Sequence, residues 1–100
     1  MTEAELLAAV LERCEQLGLA VLHIPDSRMI RHGKGWPDLF ILGRHELAAE
    51  LKDKEGQMSR EQIRWRYRIQ AAGIPFSVWR PADLESGLIK SELEWVSSDS

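Results

Sequence analysis

The sequence predicts a single α/β domain in which a mixed β-sheet is flanked by helices, in the order αβββαβα. Three observations predict this fold. A helix-forming amphipathic segment opens the chain, two short apolar runs separated by a tight polar break follow, and a second helical segment leads into a further apolar run. One hundred residues leave room for one domain. We expect that domain to span residues 1–90, with residues 91–100 as a C-terminal tail.

The first helix is predicted over residues 3–17, which are strong helix formers. Thr2 is suited to the N-cap position, and Gly18 is suited to the position just after the helix. Apolar side chains recur at helical spacing, and we expect them to face the sheet. These side chains are Leu6, Val10, Cys14 and Leu17.

A first strand is predicted over residues 19–24, ended by Pro25. The polar segment that follows, residues 26–35, is longer than the usual connection of about four to six residues, and such loops tend to be functional or disordered. We expect its cations to contact phosphates and its glycines to allow close approach of a backbone. The cations are Arg28, Arg31 and Lys34, and the glycines are Gly33 and Gly35.

The central stretch predicts a β-hairpin, because the apolar runs 39–42 and 47–51 are split by a Gly-containing polar break. Alternate side chains of a strand share a face, so Glu50 and Lys52 point the same way. Folding the hairpin returns the start of its first strand to the end of its second. Asp38 is therefore expected beside Glu50 and Lys52.

This predicted group of two carboxylates and one amine suits phosphodiester chemistry. Mg²⁺ prefers oxygen ligands, keeps several waters and takes one or two protein carboxylates, and Mn²⁺ is the expected substitute. Such an ion polarises a phosphoryl oxygen and activates a water, while Lys52 is placed to orient that water or to stabilise transition-state charge. The structural alternative is a surface ion pair between Glu50 and Lys52. Asp38 favours the metal site, because it supplies the second carboxylate.

A second helix is predicted from Ser59 through Ala72, with Gly73 as its terminator. Gln62 completes a capping box with Ser59, which is a sufficient structural reason for a glutamine there. One face is expected to pack on the sheet: Met58, Gln62, Trp65, Ile69 and Ala72. Another face is either solvated surface or a basic stripe suited to backbone phosphates: Arg60, Arg64 and Arg68.

The last strand is predicted over residues 74–79, and a short helix from Pro81 to about residue 89. The segment after it predicts a loose tail. Its apolar residues, which are unusual for disorder, are Leu93, Trp95 and Val96. Such a cluster would dock on its own domain or on a second subunit.

The charge distribution favours nucleic-acid binding at the centre of the chain, although the net charge is −3. Residues 28–80 contain eleven basic and six acidic residues, a net charge of +5, and the segments on either side each carry −4. The candidate DNA-binding cations are Arg28, Arg31, Lys34, Lys54, Arg60, Arg64 and Arg68. No stretch approaches eighteen apolar residues, and the single cysteine is typical of a reducing compartment. We therefore expect no membrane association and a cytoplasmic location.

Motifs at the centre of the chain resemble those of known nucleases. Pro37-Asp38 followed by Glu50-Leu51-Lys52 resembles the PD-(D/E)xK nuclease motif. The wider pattern, Lys34-Gly35, Gly56, Ser59-x-x-Gln62 and Ala72-Gly73, resembles the stand-alone VRR-NUC branch of that superfamily. The resemblance covers residues from about 3 to 89 and implies a restriction-endonuclease-like core.

The resemblance implies a metal-dependent DNA endonuclease. The implied metal ligands are Asp38, Glu50, the Leu51 carbonyl and one glutamate of the first helix, for which we choose Glu5 and keep Glu3 as the alternative. Lys52 would act on the attacking water, and Gln62 would lie at the active site.

Stand-alone VRR-NUC domains resemble Holliday-junction resolvases, so the implied substrate is branched DNA, a four-way junction, cut by a homodimer. The implied setting is the cytoplasm of a bacterium or of a virus-infected host cell. Three alternatives stay open: a related nuclease acting on flaps, nicked duplex or RNA, a DNA-binding module without catalysis, and a plain interaction domain.

Overall fold

The computed structural model describes residues 1–99 and contains eight regular elements. In chain order they are α1 (Glu3–Gln16), β1 (Ala20–His23), β2 (Leu39–Leu42), β3 (Glu46–Leu51), α2 (Arg60–Ala71), β4 (Phe76–Trp79), α3 (Pro81–Glu85) and α4 (Leu88–Ser97), with a 3₁₀ turn at Ser27–Met29. The predicted αβββαβα order and mixed sheet are confirmed, with one helix more than expected. None of the helices in residues 1–99 is long and apolar enough to cross a bilayer.

The four strands form one mixed sheet in the order β1-β2-β3-β4. β1 is antiparallel to β2, and β2 is antiparallel to β3. β4 is parallel to β3, because α2 carries the chain back to the end of the sheet at which β3 begins. The predicted hairpin is confirmed, with Leu39 paired to Ala49. Extending that register by one residue places Asp38 opposite Glu50. The Ile24 N–H donates to the Asp38 carbonyl at 2.9 Å, so the strand on the other side holds Asp38 as well.

One face of the sheet is buried under α1, α3 and α4. The apolar stripe of α1 is confirmed, since Leu6, Val10 and Cys14 are fully buried and Leu17 packs against the core partly buried. The sheet residues that form this core with them are Leu39, Ile41, Leu47, Ala49, Leu51 and Trp79. Each large apolar side chain buried here contributes about 1.5–3 kcal/mol. This packing fixes the position of the N-terminus of α1 relative to the end of the hairpin.

The C-terminal segment is a helix, so the prediction of a loose tail after residue 90 is wrong. α4 runs through Ser97 and buries Ile89, Leu93 and Val96 in the core. These residues follow helical spacing, which is the physical reason that the segment folds onto its own domain. The domain therefore extends past the predicted boundary at residue 90, and Ser100 lies outside the described residues.

The end of α4 also holds the turn between β2 and β3. The Val96 carbonyl accepts hydrogen bonds from the backbone N–H groups of Arg44 and His45 at 2.9 and 3.1 Å. The ring of His45 stacks on Trp95 with 4.2 Å between ring centroids. These contacts fix the end of the hairpin that lies away from Asp38.

Helix α2 is attached to the sheet less tightly than its pattern predicted. Of the expected inner face, only Ile69 is buried, Met58, Gln62 and Trp65 are half-buried, and Ala72 is exposed. The prediction is therefore wrong for Ala72. The reason is that α2 lies on the β3–β4 side of the sheet and Trp65 packs against a loop. The Trp65 ring is 4.9 Å from the ring of Trp36.

Candidate active site

The hairpin brings the two predicted carboxylates together at the end of the sheet. The Leu51 N–H donates to Asp38 Oδ2 at 2.7 Å, which fixes the Asp38 carboxyl. Asp38 lies opposite Glu50 in the strand register, and its carboxyl is close enough to oppose ionisation of Glu50. Within the described residues, Glu50 is the only charged side chain in the buried interior, with 2% of its surface exposed. The geometric prediction for Asp38 and Glu50 is thus met.

The environment of Glu50 opposes its negative charge. Its Oε1 accepts a hydrogen bond from Gln62 Nε2 at 3.0 Å, while its Oε2 is buried without any donor. Burial, and then the adjacent Asp38, raise the pKa of Glu50 to about 9, although the charge of Lys52 acts in the opposite direction. Two carboxylates in contact need a shared proton or a cation between them.

Gln62 serves the helix cap and the site at once, so the two readings of this residue are compatible. Its Oε1 accepts from the Ser59 N–H at 2.8 Å, and Ser59 Oγ accepts from the Gln62 N–H at 3.1 Å, which completes the predicted capping box. The remaining amide group, Nε2, is the donor to Glu50. The start of α2 therefore fixes the rotamer of Glu50.

Lys52 follows Glu50 on the same edge of the sheet. Its backbone N–H donates to the Trp79 carbonyl at 3.0 Å, and its side chain is half-buried. Burial raises the pKa of both Glu50 and Glu3, and the positive charge of Lys52 offsets part of that rise. Within residues 1–99 Lys52 forms no salt bridge. The alternative of a surface ion pair between Glu50 and Lys52 is therefore not observed.

The structure places Glu3, and not Glu5, against the carboxylate pair. Glu5 is exposed and closes the capping box of α1, because its Oε1 accepts from the Thr2 N–H at 2.9 Å. These hydrogen bonds with Thr2 lower the pKa of Glu5. Glu3 is exposed as well, but it lines a cavity together with Asp38 and Leu51, and partial desolvation and the charge of Asp38 raise its pKa. The preference for Glu5 is corrected, because Glu5 turns back toward the start of its own helix.

The donor set fits a small divalent cation with few protein ligands. No group of three or more His, Cys, Asp or Glu side chains in residues 1–99 is arranged to hold a metal. The available donors are the contacting carboxyls of Asp38 and Glu50 and the carbonyl of Leu51. Mg²⁺ suits such a set, because it keeps several waters and takes one or two carboxylates. The buried Glu50 Oε2 without a donor is the atom that such a cation would satisfy.

Two cavities lie along the polar loop of residues 26–35, called the basic loop below, and one of them reaches Asp38. One, of about 480 Å³, extends from Asp38 past Gln62 and Ser59 to Arg28 and Lys34. The other, of about 450 Å³, is lined by most of the predicted cations: Arg28, Arg31, Lys34, Arg64 and Arg68, with His32 among them. Lys54 and Arg60 do not line it.

Not every cation of this basic cavity is free to meet a phosphate. Arg28 pairs with Asp26 at 2.8 Å, and Lys34 lies 3.5 Å from Glu61. Arg31, Arg64 and Arg68 form no salt bridge within the described part of the chain, but Arg68 lies over the Trp65 ring at 5.5 Å. Arg31 and Arg64 are therefore the cations most available to an anionic ligand.

A solved structure described as a VRR_NUC domain superimposes on this chain with a TM-score of 0.68, covering 88% of this chain and 96% of that one. The fold is that of a VRR_NUC domain. The two sequences are 22% identical, and the similarity is one of backbone architecture. No protein-family model matches the sequence, and no curated protein matches it.

Within this VRR_NUC fold, the basic loop is held against the start of α2. The Gly35 N–H donates to Ser27 Oγ at 2.9 Å, and Trp65 Nε1 donates to the Lys34 carbonyl at 2.9 Å. Gly35 has φ +89, and a Cβ there would lie 2.5 Å from the backbone carbon of Glu61. The predicted close approach at Gly35 is real, but it is an approach to the protein's own helix. A Cβ at Gly33 would likewise meet Ile30, at 2.6 Å.

Gly35→Ala is expected to displace the loop from α2 and to destabilise the fold by about 1–3 kcal/mol. Two costs add: a left-handed backbone conformation for a residue with a Cβ, and a clash with backbone that cannot rotate away. Thermal or denaturant unfolding measures the change. Gly18→Ala is the matched control, since Gly18 has φ +69 but nothing within 4 Å of its Cβ position. Equal losses for the two variants would contradict the tight contact at Gly35.

Proposed function

We propose that this chain is a metal-dependent nuclease that hydrolyses DNA phosphodiester bonds. The observation that carries the proposal is the position of Asp38 opposite the buried Glu50, one of whose carboxyl oxygens has no donor. Asp38 itself lines a cavity that leads to a basic surface. A pair of this kind with only a structural role would destabilise the fold, because each carboxylate opposes ionisation of the other. Strongly perturbed ionisable groups in a cleft are typical of functional sites.

Each residue of the candidate site has a distinct proposed role. Asp38, Glu50 and the Leu51 carbonyl would hold Mg²⁺ or, as a substitute, Mn²⁺, and Glu3 would act on the site only through its charge. Such an ion supplies polarisation of the phosphoryl oxygen and a lower pKa for a bound water. Gln62 keeps the Glu50 carboxylate in its position. Lys52 would orient the attacking water or offset charge on the phosphoryl oxygens in the transition state.

The basic cavity supports DNA as the substrate. Arg31 and Arg64 have no internal acid partner and lie along a cavity wall that adjoins the cavity reaching Asp38. Phosphate contacts of this kind give affinity that does not depend on base sequence. The backbone of the DNA would run from the basic loop toward the carboxylate pair.

Arg64→Ala is expected to weaken DNA binding uniformly across sequences and to reduce the salt dependence of binding by about one unit of slope. The reason is the loss of one phosphate contact. Binding is measured in EDTA at several salt concentrations. Arg66→Ala is the matched control, because Arg66 lies two residues along α2, lines a different cavity and packs over the Phe76 ring at 5.8 Å. A larger effect from Arg66 than from Arg64 would contradict the proposed track.

For the finer substrate we propose branched DNA, a four-way junction, cut by a homodimer. One chain contains one carboxylate pair of this kind within residues 1–99, and two symmetric incisions require two. An exposed apolar surface also supports a second copy. Leu22 and Leu42, on the sheet face shared with Phe40, are 58% and 48% exposed.

The experiment offers four-way junction, flap, nicked duplex, linear duplex, single-stranded DNA and RNA with Mg²⁺ or with EDTA. Wild type is compared with Asp38→Asn and Lys52→Ala. We expect Mg²⁺-dependent cleavage by wild type, preference for the junction, and loss of cleavage in both variants. Cleavage of flaps or nicks alone would replace the resolvase assignment, and salt-sensitive binding without any cleavage would identify a DNA-binding module. Sedimentation reports the oligomeric state in the same buffer.

A further inference from the structure

We propose that Arg80 is a positioning residue for Lys52, through the loop that follows β3. This inference rests on the proposed nuclease function. Arg80 Nη1 donates to two backbone carbonyls of that loop, Asp53 at 2.8 Å and Gly56 at 2.7 Å. The loop joins Lys52 to the start of α2, so it connects the two elements that present the amine and Gln62 to the site.

The loop is a tight turn with its own internal bonds. Asp53 Oδ1 accepts hydrogen bonds from the N–H groups of Glu55 and Gly56 at 3.0 and 2.6 Å. This arrangement is an Asx-type turn, in which a side chain replaces a backbone acceptor. It leaves the carbonyls of Asp53 and Gly56 pointing outward, and these are the two groups that Arg80 binds. The turn and the arginine therefore form one connected unit.

The turn lies directly against the side chain of Lys52. A Cβ placed on Gly56 would be 3.3 Å from Lys52 Cδ and 3.1 Å from Asp53 Oδ1, closer than ordinary contact. The backbone of Gly56 thus supports the aliphatic part of Lys52, and a shift of the turn shifts the ammonium. Lys52 has no salt bridge within residues 1–99, so the turn contacts the aliphatic part of its side chain while the charges of Glu50 and Glu3 act on its ammonium.

Arg80 itself is held by the element that follows it. Its backbone N–H donates to Asp83 Oδ2 at 2.8 Å at the start of α3, directly after β4. In the described residues its guanidinium forms no salt bridge with an acid, and the loop carbonyls are its partners. An arginine committed to two backbone carbonyls has a different role from the cations of the basic cavity, which it does not line.

The test compares Arg80→Ala and Arg80→Lys with wild type. We expect Arg80→Ala to lower kcat about 10–100-fold with little change in KM, since a displacement of the order of 1 Å at a catalytic group costs up to about 100-fold. Arg80→Lys should recover part of kcat, because an ammonium reaches one carbonyl. Gly56→Ala, which leaves Arg80 intact but crowds Lys52, should reproduce the loss. Arg44→Ala is the matched control, as Arg44 pairs with Asp99 at the other end of the hairpin.

A second measurement needs no activity. In metal-free protein without DNA, Arg80→Ala should speed hydrogen exchange at the Glu55 and Gly56 amides and shift the Lys52 Cε resonance, whereas Arg44→Ala should change neither. Unchanged exchange and an unchanged Lys52 resonance overturn the proposal, as does a loss confined to KM with a reduced salt slope, which would make Arg80 a phosphate contact. If wild type cleaves nothing, the nuclease function fails, and the exchange and resonance data still decide whether Arg80 positions Lys52.

Discussion

Glu50→Gln is expected to abolish DNA cleavage and, at the same time, to stabilise the metal-free protein at neutral pH. Glutamine keeps an oxygen to accept from Gln62 Nε2, and its new N–H₂ group donates to Asp38, where the wild type has two opposed carboxyls. The variant also removes the charge that a cation needs. We expect cleavage to fall roughly 10²–10³-fold or more, and the free energy of unfolding to rise by about 1–3 kcal/mol.

The stabilisation should depend on pH in a defined direction. The pKa of Glu50 is raised in the folded state, so the folded chain holds a proton that the unfolded chain releases above its ordinary carboxyl pKa. Metal-free wild type should therefore lose stability as pH rises from about 4.5 toward about 9, by at most about 1.4 kcal/mol per pH unit from this group. Glu50→Gln should remove that part of the slope.

Denaturant unfolding in EDTA across this pH range, with a cleavage assay alongside, measures both effects. Glu46→Gln is the matched control, since Glu46 begins the same strand but is exposed. It should leave cleavage and the pH slope unchanged. Wild-type cleavage by Glu50→Gln would remove the carboxylate pair from the mechanism, and an unchanged pH slope would remove the raised pKa from the account.

Removing α4 is expected to prevent folding. A chain ending at Gly87 loses Ile89, Leu93 and Val96, each with at most 1% of its surface exposed. Truncating one large core side chain costs about 2–5 kcal/mol, and a domain of this size has about 5–15 kcal/mol in total. Deleting three such residues removes about 6–15 kcal/mol, as much as that total, and the carbonyl that holds Arg44 and His45 is lost as well. Circular dichroism and amide NMR dispersion would report an unfolded chain.

A milder substitution tests the same claim within the folded range. Leu93→Ala should lower the free energy of unfolding by about 2–5 kcal/mol. Lys90→Ala is its control on the same helix, because Lys90 is exposed and its nearest acid, Glu94, is 3.9 Å away, so less than about 0.5 kcal/mol is expected. A folded, active chain ending at residue 87 would show that α4 is the dispensable tail that its composition suggests.

The local sequence pattern was sufficient to predict the structure where the chain folds back on a neighbouring segment. The two apolar runs and the break between them predicted the hairpin, whose register places Asp38 opposite Glu50. The amide of Gln62 forms the predicted cap and also bonds Glu50, while the catalytic roles of these residues and of Lys52 stay predictions. These inferences needed only short-range geometry.

Contacts between distant segments were beyond the sequence. Whether Glu3 or Glu5 approaches the site depends on how α1 docks and on which acid Thr2 takes for its capping box. Arg80 carries no motif, and its role follows from a bond to carbonyls 24 and 27 residues earlier. The spacing of Ile89, Leu93 and Val96 did signal a core-facing helix, but their acidic, serine-rich surroundings concealed it.

We expect the pair of carboxyls, Asp38 and Glu50, to be unfavourable on its own and favourable around a divalent cation. Calorimetric titration of Mn²⁺ into wild type near neutral pH, repeated in two buffers with different ionisation enthalpies, tests this directly. We predict binding at one site with release of about one proton per ion, because the cation displaces the proton that the raised pKa of Glu50 retains. Glu50→Gln should show neither binding nor release. Binding by wild type without proton release, or equal binding by the variant, would contradict the account.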